Sequence, residues 1–419
     1  MAPAKTSNAI AVLFAGIFSC VLAAFAPAAD AATESVVYSF QNNDKDGLFP
    51  QAQLTNVNGT LFGTTANGGT GGCSGGCGTI FTVNPTTDAE SVLYSFRGDD
   101  RAAPQPGTLL ATRNALFGTT SIGGHRDAGM VFSFDPQSGA FRQRYYFCSL
   151  YGCLDGSTPT SGLLVSKSTL YGTTCCGGPD SGGVVFSFDP KNNSENVLYA
   201  FCSLANCADG DVPRGALLNV KGILYGTTIS GGNSASCCGT VFSLDPNSGA
   251  ESVIYNFCSH LPCVDGSQPL GELVILKHRL YGTTYEGGLD NLGTIFAIDL
   301  SNGHESVLHS FSGGSDGSLP GTGLIDLNGI LYGTTEYGNA NANCPSQCGV
   351  VYSIDPNTGA ETIVYSFCSQ PGCVDGAVPT SSLLNVNGTL YGVTQYGGSG
   401  SCVTEDEPNG CGTVYAITP

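Results

Sequence analysis

The sequence predicts an all-β fold, a seven-bladed β-propeller of four-stranded blades, because one segment and its surroundings recur seven times. The segment is Leu-Tyr-Gly-Thr-Thr or a close variant, and its copies begin at Leu61, Leu116, Leu170, Leu224, Leu280, Leu331 and Leu390. The steps between successive copies are 55, 54, 54, 56, 51 and 59 residues. A period of this length with several strand-like segments is typical of a propeller and not of a helical solenoid.

Composition and patterning favour the same class. The chain has 60 glycines and 21 prolines in 419 residues, which agrees with many short strands joined by turns. After the N-terminal apolar run, no segment repeats apolar residues at helical spacing over three turns. We therefore expect strands throughout.

One repeat unit contains four predicted strands, residues 215–220, 223–228, 239–245 and 251–257. The second is the recurring core, and the third, GTVFSLD, is a β-branched and aromatic run. The segment that leads to the fourth strand, ESVIYNF, contains Pro and Gly, which favour a turn. Each unit is thus one antiparallel blade.

The two ends of the chain supply the two halves of one blade. The GTVFSLD type of strand occurs seven times, and its last copy, residues 412–417, ends the chain. The ESVLYSF type also occurs seven times, but its first copy, residues 34–40, precedes the first complete unit. Pairing these two strands would close the ring and leave no free sheet edge. We expect residues 34–40 to be the outer strand of blade seven.

The loops of such a ring divide between two faces. Turns between the first and second strands, such as Asn58-Gly59 and Asn387-Gly388, suit two-residue type I′ hairpins. The loops between the second and third strands share the opposite face with the blade-to-blade loops. Most variation in length is there, for example in residues 339–347 and 397–410. We name this the long-loop face and expect it to be the working surface.

The N-terminus predicts export. Lys5 is followed by an apolar run over residues 10–25 and then by Ala29-Asp30-Ala31, a small-residue cleavage pattern. Residues 1–31 are therefore predicted to be a signal peptide and residues 32–419 a single propeller domain, secreted, periplasmic or at the cell surface. A membrane anchor is the alternative, although the run is short for a span.

The mature chain keeps 18 of the 19 cysteines, in nine close pairs. In an exported protein, an even set at repeated spacing indicates disulfides. A zinc site is the alternative, but it would need C-x-x-C pairs or associated histidines. Four pairs follow a fourth strand: Cys148/Cys153, Cys202/Cys207, Cys258/Cys263 and Cys368/Cys373. Five lie between second and third strands: Cys73/Cys77, Cys175/Cys176, Cys237/Cys238, Cys344/Cys348 and Cys402/Cys411.

The two adjacent pairs allow two arrangements. Cys175-Cys176 and Cys237-Cys238 could each form a vicinal disulfide, or they could cross-link blades three and four to each other. The sequence leaves both open.

Charge limits the class of partner. With 33 acidic and 14 basic side chains the net charge is −19, which disfavours nucleic acid and anionic lipid. Neutral glycans, cationic ligands or divalent cations fit better. Since the chain has no tryptophan, a sugar platform would consist of tyrosine and phenylalanine. We expect a monomer with no membrane span in the mature chain.

The repeat pattern is recognisable. Copies of [LYF]-G-T-T, G-T-[VI]-[FY]-[ST]-[LIF]-D-P and E-S-V-[LI]-Y-[SN]-F resemble the GloVer-type tandem repeat of the choice-of-anchor secreted proteins over essentially the whole mature chain. The resemblance implies export and a propeller-like repeat, but no catalytic residues. It also implies a variable C-terminal anchor, which we do not expect here because the chain stops at Pro419, straight after the last strand.

An aspartate recurs in the blade-to-blade loops, followed by Gly and, three residues later, by Pro. The copies are Asp46, Asp155, Asp209, Asp265, Asp316 and Asp375. A residue present in nearly every blade usually serves the blade, here by accepting backbone N–H bonds. Calcium binding is the alternative, and we expect no other cofactor.

Candidate ligand-binding residues lie where the repeat is broken. The positions after the core motif in blades five to seven combine aromatic rings with carboxylates and an amide, which suits a sugar-binding cleft. These residues are Tyr285, Glu286, Asp290, Glu336, Tyr337, Gln395 and Tyr396. A solvated loop with incidental polar residues is the alternative.

The sequence therefore favours a secreted module that binds a glycan or envelope component, and it leaves enzymatic activity open. A glycoside hydrolase would use two carboxylates, for which Glu286 and Glu336 are the candidates. A lyase would need a Tyr or His base beside an arginine, and Arg101, Arg214 and His260 are dispersed over different blades. The third alternative is a structural interaction scaffold.

Overall fold

The computed structural model describes residues 1, 32–43, 45–97, 107–232, 238–339, 344, 348–403 and 408–419. Residues Ala32–Pro419 form one compact unit made of seven antiparallel sheets. The predicted signal segment, apart from Met1, lies outside the described residues. The all-β, seven-bladed prediction is confirmed.

The described strands group into blades as follows. Before the first blade stands β1 (Thr33–Ser39). Blade one holds β2 (Gly47–Pro50), β3 (Thr55–Val57), β4 (Thr60–Gly68), β5 (Thr79–Asn84) and β6 (Ala89–Ser95). Blade two holds β7 (Leu110–Ala111), β8 (Leu116–Thr120), β9 (Met130–Asp135) and β10 (Ala140–Tyr146). Blade three holds β11 (Leu164–Ser166), β12 (Thr169–Thr174), β13 (Val184–Asp189) and β14 (Ser194–Ala200).

Blade four holds β15 (Asp211–Pro213), β16 (Leu218–Val220), β17 (Ile223–Ser230), β18 (Thr240–Leu244) and β19 (Glu251–Asn256). Blade five holds β20 (Val274–Leu276), β21 (Arg279–Thr284), β22 (Thr294–Asp299) and β23 (His304–Ser310). Blade six holds β24 (Ile325–Leu327), β25 (Ile330–Thr335), β26 (Val350–Ile354) and β27 (Glu361–Ser366). Blade seven holds β28 (Ala377–Pro379), β29 (Leu384–Val386), β30 (Thr389–Tyr396) and β31 (Thr413–Thr418). Single 3-10 turns lie at His125–Asp127, Tyr151–Cys153, Ala205–Cys207, Gly314–Asp316 and Pro371–Cys373.

In blades one, four and seven the first strand consists of two short segments. In blade four both β15 and β16 pair with β17, and the predicted strand 215–220 is only Leu218–Val220 in the structure. The first segment ends at Pro213, because proline has no N–H to donate to the ladder. The next residue, Arg214, lines a cavity on the long-loop face.

The glycine of the core motif is required by packing within the blade. A Cβ on Gly226 would come 2.6 Å from Cζ of Phe242, the aromatic residue of the neighbouring strand. The same aromatic residue lies over the same glycine in all seven blades, with Tyr352 and Tyr415 in place of phenylalanine in blades six and seven. A side chain in place of this glycine would displace the blade's central aromatic ring.

Adjacent blades are joined by edge-to-face ring pairs. The phenylalanine that follows each fourth strand meets the central aromatic ring of the next blade, as Phe201 meets Phe242 at a centroid distance of 4.9 Å. The other six pairs are Phe40–Phe81, Phe96–Phe132, Phe147–Phe186, Phe257–Phe296, Phe311–Tyr352 and Phe367–Tyr415. Threonines of the core motif add hydrogen bonds between blades: Thr283 Oγ1 donates to the carbonyl of Thr322 at 2.9 Å.

The ring closes as predicted. The N-terminal strand β1 pairs antiparallel with the C-terminal strand β31, with Glu34 opposite Ile417 and Ser39 opposite Thr413. Blade seven thus takes its fourth strand from the other end of the chain, so that every sheet has its outer strand.

Seven of the predicted cysteine pairs form disulfides in the structure: Cys73–Cys77, Cys148–Cys153, Cys202–Cys207, Cys258–Cys263, Cys344–Cys348, Cys368–Cys373 and Cys402–Cys411. Each closes a short loop, so each stiffens the long-loop face. Cys237 lies outside the described residues.

The prediction of a disulfide at Cys175 and Cys176 is not met. Their sulfurs lie 2.7 Å apart as two thiols. Joining adjacent residues would close a small ring, which strains the peptide bond within it. The hydrogen bond from Cys175, with Arg214 nearby, lowers the pKa of Cys176 to about 7.

Removal of the closing strand should disrupt the ring. A chain that lacks residues 32–41 loses β1 and Phe40, which exposes the edge of β31 and removes a blade-to-blade ring pair. We expect aggregation on size-exclusion chromatography or loss of cooperative unfolding by circular dichroism. The matched control begins at residue 32, and equal melting of the two proteins would contradict the closure.

The free dithiol should be visible by alkylation. In denaturant without reductant, peptide mapping should find Cys175 and Cys176 labelled, whereas after reduction all 18 cysteines of the mature chain should react. In the native protein Cys176 should react first, because its lowered pKa increases the thiolate fraction. An unlabelled pair before reduction would mean that the two sulfurs are joined.

Candidate functional site

Main-chain hydrogen bonds join the described loops of the long-loop face. At six junctions the described blade-to-blade loop pairs with the segment that follows the core motif of the next blade. In blade three, the amide of Cys175 donates to the carbonyl of Thr158 at 3.1 Å. In blade six, the amide of Ser318 donates to Tyr337 and the amide of Tyr337 donates back. Side chains on this face therefore project from positions that the sheets fix.

A cavity of about 490 Å³ lies at the mouth of the central channel on this face. All seven blades contribute to its wall. Its described lining residues are Gln51, Ser121, Ile122, Thr158, Thr160, Arg214, Leu270, Gly321, Glu336, Tyr337, Val378, Thr380, Gln395 and Tyr396. We refer to it as the mouth cavity.

Four of the seven predicted site residues line the mouth cavity, namely Glu336, Tyr337, Gln395 and Tyr396. A fifth, Tyr285, contacts the site through its hydroxyl, which donates to Glu336 Oε2 at 3.2 Å. Burial, followed by the charge of Glu336, raises the pKa of Tyr285, so its hydroxyl remains a donor at neutral pH. Tyr285 therefore holds the carboxylate that faces the cavity.

The carboxylate of Glu336 occupies space that a glycine leaves open. A Cβ at Gly321 would lie 2.5 Å from Glu336 Oε1. In five other blades the described residue at this position is larger: Gln51, Thr160, Arg214, Leu270 and Thr380. The absence of a side chain at Gly321 thus lets Glu336 extend over the neighbouring loop.

Tyr396 is supported from two sides. Phe49 of blade one meets its ring edge-on at 5.6 Å between centroids. Beneath it lies a buried cluster that contains two disulfides, formed by Cys344, Cys348, Cys368, Cys373, Ala377 and Val378. The side-chain amide nitrogen of Gln395 donates a hydrogen bond to the Tyr396 hydroxyl at 3.0 Å. The ring is therefore held in place without a ligand.

The remaining two predicted residues neither line the mouth cavity nor hydrogen-bond to a residue that does. Glu286 accepts a hydrogen bond from Gln268 Nε2 at 2.8 Å within its own blade, and Asp290 lies in an exposed turn. Glu336 is the one carboxylate among the described lining residues, so the structure does not bring Glu286 and Glu336 together at this cavity. Arg101 lies outside the described residues, and His260 hydrogen-bonds Ser259 away from the cavity.

Sequence reasoning did not predict that the residues after the loop prolines meet at the mouth, and it named Arg214 only as one of several dispersed basic residues. In six blades the described residue that directly follows the loop proline lines the cavity, as Arg214 and Leu270 do. A Pro-x-x-x-Leu spacing marks these six positions, and the residue after the proline varies among Gln, Thr, Arg, Leu and Gly. That combination of a constant frame and a variable residue was the available signal.

The recurring aspartates are structural hydrogen-bond acceptors. Asp155 Oδ2 accepts from the amide of Ser149 at 2.9 Å and from the hydroxyl of Tyr145 at 2.8 Å. This tyrosine belongs to the preceding fourth strand, and Glu195 of the next blade completes the group. We name such a set a junction triad. Equivalent triads are Tyr38/Asp46/Glu90, Tyr199/Asp209/Glu251, Tyr255/Asp265/Glu305 and Tyr365/Asp375/Glu34.

A second cavity, of about 700 Å³, lies between blades two and three on the opposite face. Its described lining includes four cations, Arg113, Arg142, Arg144 and Lys191, in a chain that has only 14 lysines and arginines. Arg142 and Arg144 stand where the fourth-strand pattern E-S-V-L-Y-S-F is replaced by F-R-Q-R-Y-Y-F. This basic cavity is therefore a competing ligand site.

Comparison with known proteins shows which family the repeat matches. The family model described as the Gloeobacter/Verrucomicrobia repeat matches residues 23–234, 152–344 and 264–405 in tandem. No curated protein matches the chain. Among the described residues, no helix is long and apolar enough to cross a membrane.

Solved structures resemble this chain at low sequence identity. An oligogalacturonate lyase from Vibrio parahaemolyticus is 8% identical, with 93% of this chain and 97% of that chain covered and a TM-score of 0.52. A nidogen/laminin complex gives 12% identity, coverage of 72% and 91%, and a TM-score of 0.41. The tricorn protease gives 12% identity, coverage of 82% and 27%, and a TM-score of 0.44. At a sequence identity of 8%, the similarity to the oligogalacturonate lyase is a similarity of fold alone.

The junction triads predict that stability falls as pH rises. Burial, with a smaller contribution from the charge of the triad aspartate, raises the pKa of Glu195 to about 7 from 4.5. The folded protein therefore binds more protons than the unfolded chain between these values, and the free energy of unfolding decreases with pH across that window. Urea denaturation should show lower stability at pH 8 than at pH 5.

The net negative charge of the chain also makes the free energy of unfolding decrease as pH rises. The decisive comparison is therefore between variants. Glu195→Gln should reduce the pH dependence, whereas Asp290→Asn, which changes an exposed carboxylate on the same face, should preserve it. Equal slopes for Glu195→Gln and the parent protein would contradict the assignment.

Proposed function

We propose that this chain, which belongs to the Gloeobacter/Verrucomicrobia repeat family, is an extracellular binding module that holds a glycan or envelope saccharide in the mouth cavity. The observation that carries the proposal is the composition of one wall of that cavity. Tyr337 and Tyr396 supply ring faces, while Glu336 and Gln395 supply hydrogen-bonding oxygens and an amide. Sugars need both, because their C–H faces stack on rings and their hydroxyls need polar partners.

Pre-organisation supports binding at this place. Tyr396 rests on two disulfides, and Glu336 is held by Tyr285. Groups that are already ordered lose little conformational entropy when a ligand binds. The size of the cavity, about 490 Å³, suits one to a few sugar rings.

Export supports an extracellular ligand. Seven disulfides suit an oxidising compartment such as the periplasm or the cell exterior. The signal-like N-terminal segment points the same way. The net charge of −19 disfavours polyanionic partners over most of the surface.

A lyase is the second candidate, favoured by one observation. Arg214 lines the same cavity as Tyr337 and Tyr396, so a cation and two phenols share one space. A uronate would place its carboxylate on the guanidinium, and a phenol would serve as the base for elimination. The oligogalacturonate lyase of V. parahaemolyticus has a similar fold, with a TM-score of 0.52.

Tyrosine substitutions test the site. In depletion assays against insoluble polysaccharides, Tyr337→Ala and Tyr396→Ala should each weaken binding by roughly 1–3 kcal/mol, the scale of losing one buried aromatic contact. Tyr151→Ala is the matched control, because Tyr151 is 92% exposed on the same face and does not line the cavity. If both cavity variants bind as tightly as the parent protein, the ligand does not bind in the mouth cavity.

Further variants separate the alternatives. Arg144→Leu restores the residue of the repeat and removes a cation from the basic cavity, so loss of binding in this variant would relocate the site there. Unsaturated products that disappear in Arg214→Ala would establish the lyase. Binding without turnover supports the module, and absence of both across neutral and acidic polysaccharides would leave the scaffold function.

A further inference from the structure

The junction between blades five and six departs from the other triads. His309 stands where all six other junctions have a tyrosine, and Asp316 and Glu361 complete the set. The loop of this junction, residues 311–320, also contains no cysteine pair. Four other junctions carry a Cys-x4-Cys disulfide at this place.

The three side chains present three metal-ligating atoms to one point. One nitrogen of His309, one oxygen of Asp316 and one oxygen of Glu361 all lie within 4.8 Å of one another. His309 Nε2 is 3.0 Å from Asp316 Oδ1. Asp316 is held by the amide of Ser312 at 2.6 Å and by its hydroxyl at 3.0 Å.

Replacing a phenol by an imidazole removes a donor from between two carboxylates. In the blade three triad, the hydroxyl of Tyr145 donates to Asp155 and also lies 3.3 Å from Glu195 Oε2. An imidazole is shorter than a phenol and reaches only the aspartate here. Glu361 accepts no side-chain hydrogen bond from the described residues, whereas the triad glutamates each accept one from a tyrosine. Its Oε1 is buried without a partner, as the same atom is in the tyrosine triads.

We propose that His309, Asp316 and Glu361 bind one divalent transition-metal cation of the Zn²⁺ class. A cation would take the place that the phenol hydroxyl holds in the other triads and would compensate the two facing carboxylates. The 3.0 Å between Nε2 and Oδ1 is close to the roughly 3.3 Å expected between ligands of a tetrahedral site with bonds near 2.0–2.1 Å. The side chains of His309 and Asp316 are 20% and 18% exposed, so a water can complete the coordination.

The ligand set favours Zn²⁺ over Ca²⁺. Imidazole nitrogen suits zinc and its neighbours in the transition series, whereas calcium takes about six to eight oxygen ligands. One nitrogen and two carboxylate groups supply too few oxygens for calcium. Calcium is therefore the negative probe.

The site would stabilise the loop that supports the mouth cavity. Asp316 is two residues from Ser318, whose backbone pairs with that of Tyr337. A cation at this junction would act where the other junctions have a disulfide, by joining the loop to the outer strands of blades five and six. This role is independent of what the mouth cavity binds.

Isothermal titration with ZnCl₂ tests the site in the disulfide-intact chain, after chelator treatment and after alkylation of the free thiols so that Cys175 and Cys176 cannot bind the metal. We expect saturable binding of one ion per chain, a higher melting temperature with Zn²⁺, and neither effect with CaCl₂. Failure of Zn²⁺ to bind would overturn the proposal.

His309→Tyr is the sharpest variant, because it introduces the residue that the six other junctions already accommodate and so should fold. It should weaken Zn²⁺ binding by roughly 100-fold or more, since even second-shell changes cost about 10- to 100-fold. Glu361→Gln should also weaken it, whereas His304→Gln, at an exposed histidine of the same strand, should not. If His309→Tyr binds Zn²⁺ as tightly as the parent protein, the ion is bound at another site.

Discussion

One packing constraint organises the whole ring: in each blade an aromatic side chain lies across a glycine of the neighbouring strand. No residue with a Cβ fits there, as the 2.6 Å approach to Phe242 at Gly226 shows. The same ring then receives a phenylalanine from the preceding blade, and this edge-to-face pair is repeated seven times around the circle. Each pair adds about 0.5–1.5 kcal/mol beyond the area that it buries. Every blade therefore keeps this glycine and this aromatic ring.

Polar groups connect the same blades near the long-loop face. In a junction triad, the phenol of one blade donates to the aspartate of the following loop and lies beside a glutamate of the next blade. Burial raises the pKa of this glutamate, so its ionisation costs stability. At the junction of Tyr94 the glutamate is replaced by Phe141, whose ring stacks on Tyr94 at 4.4 Å. His309 is the other departure, where an imidazole takes the place of the phenol in the group proposed to bind a metal ion.

A ring of similar blades builds an asymmetric site by varying a few positions in a constant frame. The residue after the loop proline and the two residues after the core motif face the channel mouth, and their identities differ between blades. Gly321 shows how such positions cooperate, because its missing side chain gives room to Glu336 of the same blade. Disulfides beneath Tyr396 then fix the geometry.

The sequence alone determined the number of blades, the closure of the ring by its two ends and seven of the disulfides, because these follow from a repeat period and from cysteines close together along the chain. It also indicated Glu336, Tyr337, Gln395 and Tyr396, which vary within a constant motif. The tertiary structure decided the rest. Arg214 and Leu270 meet those residues only because the ring brings distant loops to one mouth. Glu286 hydrogen-bonds Gln268 away from the cavity, and the direction of a side chain depends on neighbours that a repeat pattern does not specify.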